Sequence, residues 1–188
     1  MYDIAIIGAG PAGASAAIFA AKSGLKTLVI DNDKGVTRRA WFENFYGIAE
    51  ISGPDLVDRG IEQLKKFGAE YVADEATDAK AEGGAVTITT ASGQTFEAKH
   101  LILATGFSAA LAEKLGVNTK PGTEPRVATI IDVDAQGKTN IANVWAAGTV
   151  AGVSVHGIIT AGDGAKVAIN VISELKGARY VDHDVLKA

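Results

Sequence analysis

The stretch Tyr2-Asp3-Ile4-Ala5-Ile6-Ile7-Gly8-Ala9-Gly10-Pro11-Ala12-Gly13 decides the fold. Its first half is a short apolar run that ends at a glycine, the pattern of a strand buried on both faces. Its second half opens an Ala-rich segment that reaches about Lys22. Ala favours helix, and Pro11 suits a first helical turn, where its missing N–H costs nothing. Ser23-Gly24 stops the helix, and Leu25 to Ile30 forms a second buried strand closed by Asp31. Together these make a βαβ unit with G-x-G-x-x-G at its first turn.

Each part of that motif has a physical task in dinucleotide binding. Gly8 allows the tight turn, Gly10 lets the backbone approach a pyrophosphate, and Gly13 lets the helix pack on the strand. Unpaired N–H groups in the turn holding Pro11 and Ala12, with the helix dipole behind them, favour diphosphate charge. Asp31 stands where a carboxylate accepts the ribose hydroxyls of an adenosine, and a 2′-phosphate there would meet like charge. A plain turn or cap role is the alternative for Asp31, and tight βα packing is the alternative for the glycines. The motif alone does not tell one dinucleotide from another.

Downstream, residues 32–54 form a glycine-punctuated, aromatic-rich connection. Asp55 to Phe67 carries Leu56, Ile61, Leu64 and Phe67 near helical spacing, with Gly68 as its C-cap. Glu70 to Ala73 is a third strand. Val86 to Thr90 and Thr95 to Ala98 flank Ser92-Gly93 and read as a hairpin. Leu101 to Ala104 is another apolar strand, followed by a short helix from Ala109 to Leu115 and a loop from Asn118 to Pro125. Val127 to Val133 and Asn143 to Ala146 are strands, Gly148 to Gly152 is a glycine-rich turn, and Ile158 to Leu175 is a closing helix.

The chain has 188 residues, 47% hydrophobic and 21% charged, which suits one domain able to bury its own core. The net charge is -4 with no basic run, so nucleic acid and anionic membrane are poor partners. No apolar stretch is long enough to span a bilayer and the first residues lack a basic leader region, so a cytoplasmic location is the default expectation. There is no cysteine, which excludes a disulfide scaffold, a thiolate metal site and a redox-active C-x-x-C pair. His100, His156 and His183 are too scattered for zinc, and no metal is expected.

Glu43-Asn44-Phe45-Tyr46-Gly47 followed by Ile51-Ser52-Gly53-Pro54-Asp55-Leu56 is similar to the "ENFPG … ISGPEL" stretch of the thioredoxin reductase family. Phe67-Gly68-Ala69-Glu70 resembles its next segment, Leu103-Ala104-Thr105-Gly106 its "ATG" strand end, and Val144-Trp145-Ala146-Ala147-Gly148 its "VFAAGD". Ile159-Thr160-Ala161-Gly162-Asp163-Gly164 resembles the start of its last helix. Any one piece is weak; together, in family order, they are strong. The resemblance implies an α/β, Rossmann-like, glutathione-reductase-type FAD-binding fold, with a central parallel sheet and a small hairpin or meander excursion, as a single domain over residues 1–188.

In the family a nicotinamide-binding domain follows the ATG segment. Here only about residues 107–126 fill that place, and neither a second G-x-G-x-x-G nor a C-x-x-C occurs. The resemblance implies that Gly8, Gly10 and Gly13 hold the FAD pyrophosphate and Asp31 the adenosine ribose. It implies that Ala76 offers backbone to the adenine and that Asn44 approaches the flavin. Thr105 and Gly106 would line the cofactor, and Gly148 would meet its phosphate and ribityl region. Thr149 replaces the family's Asp, leaving a neutral hydroxyl for a ribityl oxygen. The family's "GGQL" is Asp33-Lys34-Gly35-Val36, and its "RQ" is Val155-His156.

N–H groups of Gly157 and Ile158 at the last helix would face the flavin C2 carbonyl and stabilise negative charge on the reduced ring. No catalytic residue is identified. His156 is the candidate flavin-tuning group, acting as a cation, or else a solvated loop histidine. His100 and His183 read as structural or surface residues. Trp41, Phe42 and Phe45 either cover the flavin or pack a core under the loop. Arg38 and Arg39 read as a solvated pair, with a phosphate or an acidic partner as the alternative.

Three functions compete. The first is a small FAD oxidoreductase taking electrons from diffusing NADH or NADPH or from a protein donor. The second is a non-catalytic FAD module that acts only when docked on a partner protein. The third, a plain NAD-binding domain, has no use for the C-terminal glycine turn and helix. The resembling family forms homodimers through the FAD domain, so a homodimer is expected.

Overall fold

A computed structural model describes residues 1–186. The chain runs β1 (Tyr2–Ile7), α1 (Pro11–Lys22), β2 (Thr27–Asp31), a 3-10 turn (Val36–Arg39), β3 (Trp41–Phe42), β4 (Ile51–Ser52), α2 (Gly53–Lys66) and β5 (Glu70–Ala73). It continues with β6 (Ala76–Glu82), β7 (Ala85–Thr90), β8 (Thr95–Leu103), α3 (Ala110–Leu115), β9 (Thr119–Pro121), β10 (Thr129–Ile131), β11 (Val144–Ala146), a second 3-10 turn (Thr149–Ala151) and α4 (Gly157–Lys176).

The main sheet has the order β5-β2-β1-β8-β7-β6, with β11 also paired to β8. β1, β2, β5, β8 and β11 are mutually parallel, and β6 and β7 add antiparallel pairs. β8 explains the mixture. Its first residues pair with β7 antiparallel, at Val86↔Ala98, while Leu101–Leu103 pair with β11 in parallel on that same edge. Its other edge follows β1 from Ala98 to Leu103.

One face of the sheet carries Ile4, Ile6, Val29, Ile102 and Trp145 against α1, α2 and α4. The other carries Leu28, Ile30, Leu101, Leu103 and Val144 against Val86 and Ile88 of the meander and Leu111 and Ala112 of α3. Strands covered on both faces need continuous apolar runs, which is what β1 and the end of β8 supply.

The crossing of α1 and α4 sets up the site. Gly164 sits so close to the Ala12 backbone that a Cβ would overlap its carbonyl oxygen. At the far end Lys176 Nζ donates to the Ser23 carbonyl at 2.9 Å. The two helices therefore lie alongside in the same sense, and both N-termini reach one edge of the sheet. α2 packs against α1 where Gly60 faces Ala14.

The sequence expectations differ from the structure at definable places. The hairpin strand and the apolar strand read separately at 95–98 and 101–104 are the single strand β8; Lys99-His100 imitates a break, but pairing with β1 carries the strand through it. β6 is not visible in the residues, because Ala-Thr-Asp-Ala-Lys-Ala-Glu contains few strand formers. Pairing with β7 creates it. The segment read as loop at 118–125 contains β9, which pairs with a β10 shorter than the strand read at 127–133. α2 starts at Gly53, two residues early, because Ser52 caps it: the Asp55 N–H donates to Ser52 Oγ at 3.1 Å.

The second strand begins at Thr27, since Leu25 still bonds back to Ala20 at the end of α1. His100, half-buried on β8, accepts a hydrogen bond at Nδ1 from Trp145 Nε1 at 3.1 Å. Burial pushes its pKa below the usual range. The unfolded chain protonates this residue near pH ~6.5. Its neutral form therefore contributes stability that is fully present above that pH and is lost as pH falls toward the lower folded value. Urea midpoints should fall between pH 7.5 and pH 5.5, and the fall should shrink in His100→Gln. An identical fall in the variant would remove His100 as its cause.

Candidate functional site

The carboxyl ends of β1, β2, β5, β8 and β11 open on a cleft of about 560 Å³, where ligands settle in open parallel sheets. Its floor is the glycine turn. Gly8 has φ +104, a backbone conformation only glycine adopts without strain, and its N–H is held by the Ile30 carbonyl at 2.9 Å. A Cβ at Gly13 would overlap the Gly8 carbonyl oxygen, so α1 rests on the turn with no room between them. Gly10 is different: a Cβ there would meet only Thr37 Oγ1, at 3.7 Å. Its open side faces the cleft, which Gly10, Pro11 and Ala12 line.

Asp31 also lines the cleft. Its Oδ1 accepts the Ala9 N–H at 2.9 Å and its Oδ2 accepts the Asp33 N–H at 3.0 Å. The carboxylate thus fixes the glycine turn and retains lone pairs for a further donor. Beyond it Lys34 and Glu75 form an ion pair at 2.7 Å that joins the loops after β2 and β5. Ala76 lines the cleft beside Glu75. Neighbouring Asp74 is held at a pKa of about 2 by hydrogen bonds from the Ser92 and Thr90 hydroxyls.

Across the cleft, Thr105 and Gly106 line the wall where β8 ends, and Thr105 Oγ1 donates to the Ser108 carbonyl at 2.6 Å. Thr149 lines it too; the residue is only 6% exposed, and its hydroxyl has no hydrogen-bond partner among the described residues. Gly157 and Thr160 carry the lining onto α4. Gly157 admits Phe42, whose Cε1 would lie 2.8 Å from a Cβ there, so the aromatic connection docks on the α4 tip.

Other sequence candidates lie outside the lining. Gly13 and Gly148 sit behind it. The Gly148 N–H donates to Asp163 Oδ2 at 2.8 Å, and a Cβ would come within 2.7 Å of Ala12 Cβ. Asp163 is nearly buried and paired with Lys166. Asn44 is exposed in the connection, and Ile158 is 38% exposed on the outer side of α4. His156 precedes α4, exposed, with Nδ1 2.7 Å from Ser154 Oγ.

Arg38 is committed to Asp33 and to Asp58, the latter at 2.9 Å, and Arg39 is exposed. Phe42 lines the cleft, Phe45 packs edge-on against it, and Trp41 is 61% exposed. The structure adds Lys34, Thr37, Glu75, Phe107 and Lys114 to the lining. Thr37 is carried there by the 3-10 turn, whose carbonyl abuts Gly53 of α2; no periodicity in the residues announces it.

The helix tips share one further property. α2, which starts away from the cleft, is capped by Ser52. α1 and α4, whose first residues line the cleft, have no side-chain cap. Their first N–H groups are donors without intrahelical acceptors, in a positive field.

Such a sheet, mostly parallel, with a glycine turn and two uncapped helix tips at one cleft, defines a Rossmann-like α/β domain. Comparison with known proteins narrows it. The family profile described as Pyridine nucleotide-disulphide oxidoreductase matches residues 2–129 and 54–170. The chain is 39% identical over 111 residues to a thioredoxin reductase of Listeria monocytogenes, covering 56% of this chain and 34% of that protein. It is 38% identical over 116 residues to a thioredoxin reductase of Peptoclostridium acidaminophilum, covering 60% and 36%. The chain thus spans about a third of the length of these relatives.

Among solved structures, the atypical thioredoxin reductase TRi from Desulfovibrio vulgaris Hildenborough superposes with a TM-score of 0.82 at 21% identity, covering 94% of this chain and 99% of that one. A thioredoxin reductase from Gloeobacter violaceus gives 0.83 at 17% identity, covering 98% and 99%. At those identities the likeness shows the fold. The chain belongs to the pyridine nucleotide-disulphide oxidoreductase family and is thioredoxin reductase-like. Among the described residues no helix is long and apolar enough to cross a membrane.

Proposed function

We propose that this chain binds FAD in the cleft and works as a small oxidoreductase that takes electrons from a diffusing nicotinamide or a protein donor. The observation that carries the reading is the pair of uncapped helix tips, α1 and α4, lining one continuous cleft. The residues present fit an FAD molecule. Gly10 leaves open the space a diphosphate needs, Asp31 retains acceptor capacity for a ribose, and Thr149 on the lining makes no side-chain hydrogen bond among the described residues. Ala76, Thr105 and Gly106 would complete the walls.

When bound, FAD supplies hydride and electron chemistry through its ring system. The chain's part is to bind, orient and set charge. The α1 tip neutralises diphosphate charge, and the α4 tip, through the Gly157 and Ile158 N–H groups, favours negative charge at the other end. His156 stands beside that tip and would add to its positive field as a cation. The chain holds no cysteine, so it supplies no dithiol of its own to pass electrons on.

Thr149→Val is expected to leave the unfolding temperature unchanged, because the hydroxyl makes no hydrogen bond among the described residues, and to weaken FAD binding about three- to tenfold. Fluorescence titration with FAD checks it; unaltered affinity would mean that the hydroxyl does not reach the cofactor.

The second reading is an FAD module active only on a partner protein, favoured by exposed Trp41 and Tyr46 in the aromatic connection and exposed Ile159 in the first turn of α4. Anaerobic mixing with NADH or NADPH separates the two. Bleaching of the flavin absorbance by nicotinamide alone supports the oxidoreductase. Bleaching only after a protein donor is added supports the module. A chain that takes up no FAD sinks both.

A further inference from the structure

The segment that stands in place of the nicotinamide domain ends in the β9–β10 hairpin, and this hairpin touches the approach to α4. Its tip is fixed. The Gly122 N–H donates to Ala128 O at 2.9 Å, the Val127 N–H donates to Glu124 O at 3.1 Å, and Arg126 is held at φ +67, where side-chain-bearing residues are strained. Its base is anchored by Ile130 and Ile131, both buried. From that platform Ile130 presses on Gly152, where a Cβ would come within 2.8 Å of its Cδ1, and Glu124 Oε2 accepts the Val155 N–H at 3.1 Å. Among the described residues this is the one hydrogen bond tying 153–156 to any element outside the turn and α4.

We propose that the hairpin braces the tip of α4, with Glu124 as the positioning residue, and that the Glu124 carboxylate also limits how much of the tip's positive end remains for the reduced cofactor. The brace follows from the contacts alone; the charge effect rests on the FAD reading above. Val155 lines the cleft and immediately precedes His156, where α4 begins. A carboxylate bonded there sits in the positive field of the helix start and is stabilised by it. A negative charge forming on a bound flavin would draw on that same field, so Glu124 opposes it while holding the tip in place.

Two variants separate holding from charge. Glu124→Gln keeps an acceptor oxygen for the Val155 N–H and removes the charge; Glu124→Ala removes both. Hydrogen exchange on the full chain without cofactor should show the Val155 amide exchanging about tenfold faster in Glu124→Ala and near the original rate in Glu124→Gln. Equal protection in Glu124→Ala overturns the brace. In the FAD-loaded protein, Glu124→Gln should raise the flavin midpoint potential, with the reduced form favoured about three- to tenfold more than in the original chain. An unchanged potential overturns the charge effect. A chain that takes up no FAD overturns the cofactor reading and the charge effect with it, while amide exchange still decides the brace.

Discussion

Gly13→Ala is expected to cost more than ~4 kcal/mol of stability, the range reserved for a named steric fault. The added methyl would overlap the Gly8 carbonyl oxygen and stand 3.3 Å from Ala104 Cβ. Neither can yield: Gly8 is pinned to Ile30, and the Ala104 N–H bonds to the Ile7 carbonyl. α1 would have to lift off β1, opening the contacts of Ala16, Ala17 and Ala20, all of them fully buried. A domain of this size holds only ~5–15 kcal/mol in reserve, so the loss shows as a collapsed urea transition. A variant within ~1 kcal/mol of the original chain would mean that α1 has slack the structure does not show.

Gly10→Ala should do the opposite. The position has φ -65, which alanine adopts freely, and a methyl there meets only Thr37 Oγ1 at 3.7 Å. Stability should stay within ~0.5 kcal/mol. The methyl would occupy space the diphosphate needs, and FAD affinity should fall about a hundredfold, or about 2.8 kcal/mol. Equilibrium titration beside urea unfolding reads both quantities. Two glycines three residues apart would then fail in different ways, one through the fold and one through the ligand. A Gly10→Ala chain that binds FAD normally would displace the diphosphate from this turn.

What could be read from residues alone was local. β1, the glycine turn and α1 announce themselves because a strand pattern, a turn pattern and a helix pattern follow one another within about twenty residues. The far half of the cleft is harder. Gly157 and Thr149 are identified through resemblance rather than pattern, because a helix tip shows its purpose only when its neighbours are placed. Thr37 and Lys34 are invisible for the same reason: the 3-10 turn reaches the cleft by docking on Gly53, twenty and more residues from the motif it faces. Asp31 shows the limit from the other side. Its position is legible, yet its bond to the Ala9 N–H, which makes it part of the glycine turn, is a tertiary fact.

β6 and β8 carry the same lesson for the fold. A strand of Ala, Thr, Asp, Lys and Glu exists because a partner edge is waiting for it, and a polar pair inside β8 is tolerated because β1 pairs across it. Absent caps on α1 and α4 are legible only once the cleft is known. In α2 a Ser-Gly-Pro-Asp start supplies its own acceptor; at the starts of α1 and α4 no side chain does, which leaves those donors to water or to a ligand in the cleft.

Titration of the purified chain with FAD, FMN and ADP probes this most directly. If both helix tips grip one molecule, FAD binds once per chain, more than about a hundredfold tighter than FMN, and ADP competes with it. Equal affinity for FAD and FMN, or no binding of either, would contradict the shared grip.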